Sequence, residues 1–131
     1  MRLTLRRMGT THISRAEAGA TVGEVMLPSP EVFGSDMTVA GARREFESPR
    51  QKLVVVADGD RYLGAADRES LEGADDRTLI VDLGAAVPTL GPSEPTERVF
   101  ELGLKRIPVV EDGRLLGLVC FNSGKDAFCV S

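Results

Sequence analysis

The feature that most constrains this chain is a repeat. Residues 53–64 read Leu-Val-Val-Val-Ala-Asp-Gly-Asp-Arg-Tyr-Leu-Gly, and residues 106–117 read Arg-Ile-Pro-Val-Val-Glu-Asp-Gly-Arg-Leu-Leu-Gly. Each is an apolar β-branched run, an acidic–glycine turn and a second short apolar run ending on Gly64 or Gly117. This is the signature of a β-hairpin, because Asp-Gly supplies the positive φ that a tight turn between twisted strands requires. The two segments align without a gap at a spacing of 53 residues. Half-units of this size cannot each bury a sheet face alone, so the repeat predicts one compact domain in which two copies stack across a pseudo-twofold axis.

The segments before the hairpins also correspond. Thr21–Met26 leads into Pro28-Ser-Pro-Glu-Val-Phe33 and then Ser35–Thr38; in the second half Thr78–Leu83 leads into Val87–Leu90 and Ser93–Thr96. Each half reads as a short helical turn, a short extended segment and a polar N-cap cluster that opens a helix. The first helix is expected near Val39–Glu47, with Val39, Ala42 and Phe46 facing inward at helical spacing. The second is expected near Thr96–Leu104, with Val99 and Leu102 or Gly103 facing in. After Gly64 a short helix capped by Asp67 is expected; after Gly117 the strand continues and then turns. Leu3, Leu5 and Met8 read as an N-terminal strand and Asp126–Ser131 as a C-terminal one, and pairing of the two would close the molecule. Residues 9–20 read as a polar linker in which Ser14-Arg-Ala-Glu17 fits a capping box.

Several functions find little to work with. The formal net charge is −4, which argues against a general nucleic-acid binder. Arg2, Arg6, Arg7 and Arg15 against Glu17 leave residues 1–20 basic, and four arginines without a lysine run or aromatics read as a solvated strand face. No stretch reaches the roughly 20 apolar residues that span a bilayer, and the opening Met-Arg-Leu-Thr-Leu-Arg-Arg-Met lacks the apolar core of a secretory leader. His12 is the single histidine and lacks the partners a metal site or hydrolytic triad needs. Cys120 sits in an apolar run, where a thiol acts as a small hydrophobe. With Cys129 it is expected to stay a free thiol, as in a reducing cytoplasm. No phosphate-binding Gly-rich motif is present, so no catalytic residue, metal ligand or cofactor is assigned.

The order and duplication of these pieces resemble a tandem pair of cystathionine-β-synthase (CBS) domains, a Bateman module. Val22-Gly-Glu-Val-Met26 followed by Pro-x-Pro, Asp36-Met-Thr38-Val39 with Ala42, and the hairpin ending at Gly64 look like the first repeat. Ile107-Pro-Val-Val-Glu111, Asp112-Gly113 and Leu116-Gly117 look like the core of the second. The resemblance implies an α+β fold of two β-α-β-β-α CBS repeats packed around a pseudo-twofold axis. Residues 1–20 would form an N-terminal strand and linker, 21–73 the first repeat, and 74–131 the second repeat with a C-terminal strand. It also implies a stand-alone cytoplasmic regulatory module, not an enzyme and not a nucleic-acid or membrane partner. Such a module forms a homodimer and takes AMP, ATP or S-adenosylmethionine in clefts between its repeats.

Carried over residue by residue, the resemblance puts Val32, Val87 and Pro88 on the first strands and Lys52, Leu53, Lys105 and Arg106 before the hairpins, lining purine slots. Lys52 and Arg50, like Lys105 and Arg106, could also offset phosphate charge. After the hairpin glycine the family pattern is Gly-x-x-Thr/Ser-x-x-Asp, whose aspartate grips the ribose. Here the matching positions are Asp67 and Ser70 in the first repeat and Cys120 and Ser123 in the second, and neither copy keeps that aspartate. This departure supports the alternative of a ligand-free pair acting as a homodimerisation or partner-docking module.

Overall fold

The computed structural model describes residues 12–14, 21–84, 87–122, 124 and 126–129. The two hairpins are β3 (Val54–Asp58) with β4 (Arg61–Ala66), and β5 (Arg106–Glu111) with β6 (Arg114–Asn122). Their registers are copies. Val54↔Ala66, Val55↔Ala65 and Val56↔Gly64 are answered 53 positions later by Ile107↔Val119, Pro108↔Leu118 and Val109↔Gly117, and both ladders slip at the same step, after Val56 and after Val109. The two-residue turns occupy equivalent positions and differ in where the glycine stands. Asp58 pairs with Arg61, so the first loop is Gly59-Asp60 with φ +61° at Gly59, whereas Asp112-Gly113 forms the second loop with φ +53° and +79°.

The hairpins meet through their equivalent residues. Arg61 lies opposite Arg114, and the amides of Tyr62 and Leu115 donate to the carbonyls of Gly113 (2.9 Å) and Asp60 (2.7 Å). These two bonds are images of one another, which places the pseudo-twofold axis between them. Two arginines face to face would repel, and Asp60 offsets this by accepting from the Arg114 guanidinium at 2.7 and 2.9 Å. A parallel bridge extends each hairpin: Phe33 donates to Val55 and accepts from Ala57, as Leu90 donates to Pro108 and accepts from Val110.

Helical segments cross the axis. α1 (Val22–Val25) donates from Val22 and Gly23 to the carbonyls of Glu94 and Pro92, both at 2.8 Å; its counterpart, the segment before the 3-10 turn Ile80–Asp82, offers Thr78 and Asp76 carbonyls to the amides of Val39 and Ala40. Val22 and Val25 accordingly pack with Leu90, Val99, Ile107 and Val109, while Ile80 packs with Val39, Ala42, Val54 and Val56. Each half lends its first helical turn to the core of the other. A third cluster of Leu53, Val55, Ala65 and Val87, flanked by Tyr62, Leu115 and Leu118, fills the seam.

Helix limits follow local chemistry. α2 (Val39–Glu45) opens on Thr38, whose hydroxyl accepts from the Gly41 amide at 3.0 Å. It buries Val39, Ala42 and Phe46 as the spacing predicts. It stops short of Glu47 because Ser48 precedes a proline, which disfavours helical backbone there. α3 (Glu97–Leu102) ends where Gly103 turns left-handed at φ +68°, two residues before the expected limit. Asp67 caps as expected: its carboxylate accepts from the Ser70 amide at 2.8 Å, and the turn Glu69–Leu71 follows.

Two expectations at the ends are corrected. β7 (Ala127–Cys129) pairs with β1 (His12–Ser14), within the stretch read as a polar linker, as well as with β6. Ser14 is thus in a strand; the rest of the capping box, and Leu3, Leu5 and Met8, lie outside the described residues. Cys120 and Cys129 are not free thiols but form a disulfide, with Cα atoms 5.1 Å apart. The pairing Phe121↔Phe128 makes 120 and 129 the next opposed pair, a relation that only the docking of β7 creates. Phe128 anchors the strand independently, its ring 5.2 Å from Phe121 and 5.9 Å from Phe100.

A disulfide across so short a loop contributes about 2–3 kcal/mol by restricting the unfolded chain. Melting with a non-thiol reductant is expected to lower Tm by roughly 6–12 °C without loss of cooperativity, since Phe128 still holds β7. A shift under about 2 °C would show that the staple contributes nothing.

Candidate functional site

Two clefts open along the seam. The first, of about 330 Å³, lies where the β2 (Leu27–Pro28) segment passes the start of both hairpins. Its apolar walls are Leu27, Pro28, Pro30, Leu53, Val55 and Leu118; its polar rim is Ser29, Glu31, Arg50, Gln51, Lys52 and Arg106. β2 reaches this place because Gly117 has no side chain: a Cβ there would stand 2.6 Å from the Leu27 carbonyl oxygen. Beyond β2, Ser29 adopts φ +54° between two prolines, a conformation costly for a residue with a Cβ. That kink turns Pro30 and Glu31 along the cleft edge.

Arg106 is half-buried in this cleft. Its guanidinium donates to the carbonyl of Lys105 at 3.2 Å, and among the described residues no carboxylate pairs with it. Burial therefore pushes its pKa down from the usual arginine value with nothing to restore it. Arg43, Arg98 and Arg114, by contrast, each pair with a carboxylate. A half-desolvated guanidinium without a counter-ion is poised to accept an anionic group as a bidentate partner.

The second cleft, of about 630 Å³, runs along β4 from Tyr62 to Ala65. Val81, Gly84 and the segment Val87–Thr89 face it, and none of the described residues that line it is charged. Burial raises the Tyr62 phenol to a pKa of about 12.

Residues 83–122 match the family model for the CBS domain. The fold is that of solved CBS pairs. CBSX2 in complex with AMP superposes with a TM-score of 0.63 at 22% identity, over 82% of this chain and 93% of that one. A CBS-domain-containing protein from Agrobacterium tumefaciens gives 0.60 at 18% identity, over 82% and 92%. The cytosolic domain of the Mg2+ channel MgtE in complex with ATP gives 0.58 at 26% identity, over 77% of this chain and 46% of that one. The chain has the CBS-pair fold, and the stretch that matches the CBS family model lies in its second half. None of the curated protein sequences matches it.

The CBS pair brings some of the expected site residues together and scatters others. Lys52, Leu53 and Arg106 meet in the first cleft, and Val87 and Pro88 line the second. Val32 points to solvent at 41% exposure beside the first cleft's edge. Lys105 is exposed and supplies its backbone carbonyl to the Phe121 amide at 2.8 Å. Asp67 and Ser70 bind each other, the hydroxyl donating to the carboxylate at 2.5 Å. Cys120 is buried in the disulfide, and neither it nor the Asp67–Ser70 pair lines the two clefts. Ser123 lies outside the described residues. Pro28, Pro30 and Glu31 were visible only as a repeated motif, and Tyr62 and Leu118 only as hairpin residues; nothing local marks them as cleft walls. Among the described residues no group of three or more His, Cys, Asp or Glu side chains could hold a metal ion, and no helix is long and apolar enough to cross a membrane.

Tyr62 is the chain's single tyrosine and there is no tryptophan, so phenolate absorbance reports this cleft alone. The native protein is expected to titrate near pH 12 and the denatured chain near its ordinary value of 10. Because burial favours the neutral phenol, its contribution to stability holds below pH 10 and is lost as the pH rises toward 12. A native midpoint at 10 would place the phenol in open water.

Proposed function

We propose that the chain is a regulatory, non-catalytic CBS module that binds an adenosine-type nucleotide in the first cleft. The observation that carries this reading is the pairing of apolar walls with an unpartnered, half-buried Arg106 in one groove. Pro28 and Pro30 on one side and Leu53, Val55 and Leu118 on the other suit a flat purine, and Arg106 with Lys52 and Arg50 suits phosphate. Ligand-bound structures of the same fold, one with AMP and one with ATP, support a nucleotide. S-adenosylmethionine shares the adenosine and offers a carboxylate in place of phosphate. A cytoplasmic setting is part of this reading.

Ligand that binds only the native state stabilises it by RT ln(1 + [L]/Kd), about 2.7 kcal/mol at a hundredfold excess over Kd. A thermal-shift panel of AMP, ADP, ATP, S-adenosylmethionine and NAD is expected to raise Tm by several degrees for at least one adenine nucleotide. A flat response to all five at millimolar concentration overturns the reading.

A different observation favours the second reading, a homodimer or docking module without ligand. Asp67 commits its carboxylate to Ser70 and Cys120 its sulfur to Cys129, so three of the four positions of the family pattern are engaged within the fold. Sedimentation equilibrium across micromolar concentrations is expected to give a dimer mass on this reading. A monomer throughout removes it.

A further inference from the structure

We infer that the first cleft is an anion site, reading the phosphate of its ligand more than the nucleoside, while the second cleft takes no phosphorylated group. This rests on the nucleotide reading and specifies which part of the ligand the cleft recognises. Arg50, Lys52 and Arg106 line the first cleft against one carboxylate, Glu31. None of the three cations forms an ion pair among the described residues, and the Arg106 fork is the one drawn partly out of water.

The two clefts are not images of one another. Arg106 opens the second hairpin where Leu53 opens the first; both line the first cleft, and neither lines the second. In the second cleft, Tyr62 and Thr89 offer hydroxyls but none of the described lining residues carries charge. A phosphate entering there would shed water without gaining a cation, an unfavourable exchange. In the first cleft it gains charge-assisted bonds in a partly desolvated groove. Among the described positions of the family pattern, Asp67 and Ser70 are bound to each other and Cys120 is in the disulfide. The phosphate count should therefore dominate affinity, and salt should weaken it.

Titration calorimetry on the full chain with ATP, AMP, adenosine and inorganic tripolyphosphate tests this. One equivalent of ATP per chain is expected, with affinity at least tenfold above AMP and AMP at least tenfold above adenosine, and tripolyphosphate displacing ATP. Arg106→Gln and the surface variant Lys52→Gln should each weaken ATP at least fivefold, Arg106→Lys should recover part of the loss, and Thr89→Glu in the second cleft should change nothing. Two equivalents of ATP, adenosine binding as tightly as ATP, or both glutamine variants binding ATP like the parent overturns the inference while leaving the nucleotide reading standing. Tripolyphosphate bound through Arg106 with no adenine preference sustains the anion site and overturns the nucleotide reading. Silence from all four probes removes both.

Discussion

The Tyr62 and Leu115 amides, donating in opposite directions to Gly113 and Asp60, are the contact on which the geometry of the molecule depends. They join two hairpins that are equivalent in register down to the bulge, so the contact has to be reciprocal, and reciprocity defines an axis. Once that axis exists, every element of one half has a calculable counterpart. The price is an arginine facing an arginine, which Asp60 relieves at the surface. The Val22–Val25 turn reaching over to Glu94 and Pro92, and the Thr78–Ile80 segment reaching back to α2, then interlock the halves, so neither completes its core alone.

The clefts are consequences of that interlock. A strand that crosses to pair with the far hairpin leaves a groove beside its own, and the seam cluster around Leu53, Val55, Ala65 and Val87 forms the apolar floor between the grooves. Perfect symmetry would make the grooves identical. The grooves depart from symmetry in two places: Arg50, Lys52 and Arg106 line the first while none of the described residues of the second carries charge, and a Cβ on Gly117 would stand 2.6 Å from the Leu27 carbonyl oxygen whereas one on Gly64 would meet nothing nearer than the Val81 Cα at 4.0 Å. A chain with two similar repeats thereby acquires two unlike grooves.

The disulfide and the Asp67–Ser70 pair show how local chemistry can withdraw residues from a site. A carboxylate two residues from the end of a helical turn finds the nearest amide and hydroxyl, and a cysteine on a strand finds whatever lies opposite. Both outcomes satisfy polar or reactive groups inside the fold. Asp67 and Ser70 in the first repeat and Cys120 in the second, positions that match the family pattern, thus serve the scaffold.

Hairpins, their repeat, the helix start at Thr38 and the cap at Asp67 were legible in the residues, because each rests on contacts within a few positions of chain: a glycine that permits positive φ, a hydroxyl that meets an amide three residues on, an apolar period that matches a helix. Lys52, Leu53 and Arg106 were legible as hairpin neighbours for the same reason. What converges from far apart was not. That Leu27 passes over Gly117, that β7 adds beside β6 and sets Cys129 opposite Cys120, and that Arg106 stands without a carboxylate depend on contacts between residues dozens of positions apart, to which no local spacing points. The repeat by itself determined that two like halves must stack; only their docking decided which groove carries charge, because burial and ion pairing are properties of surfaces brought together rather than of the segments that supply them.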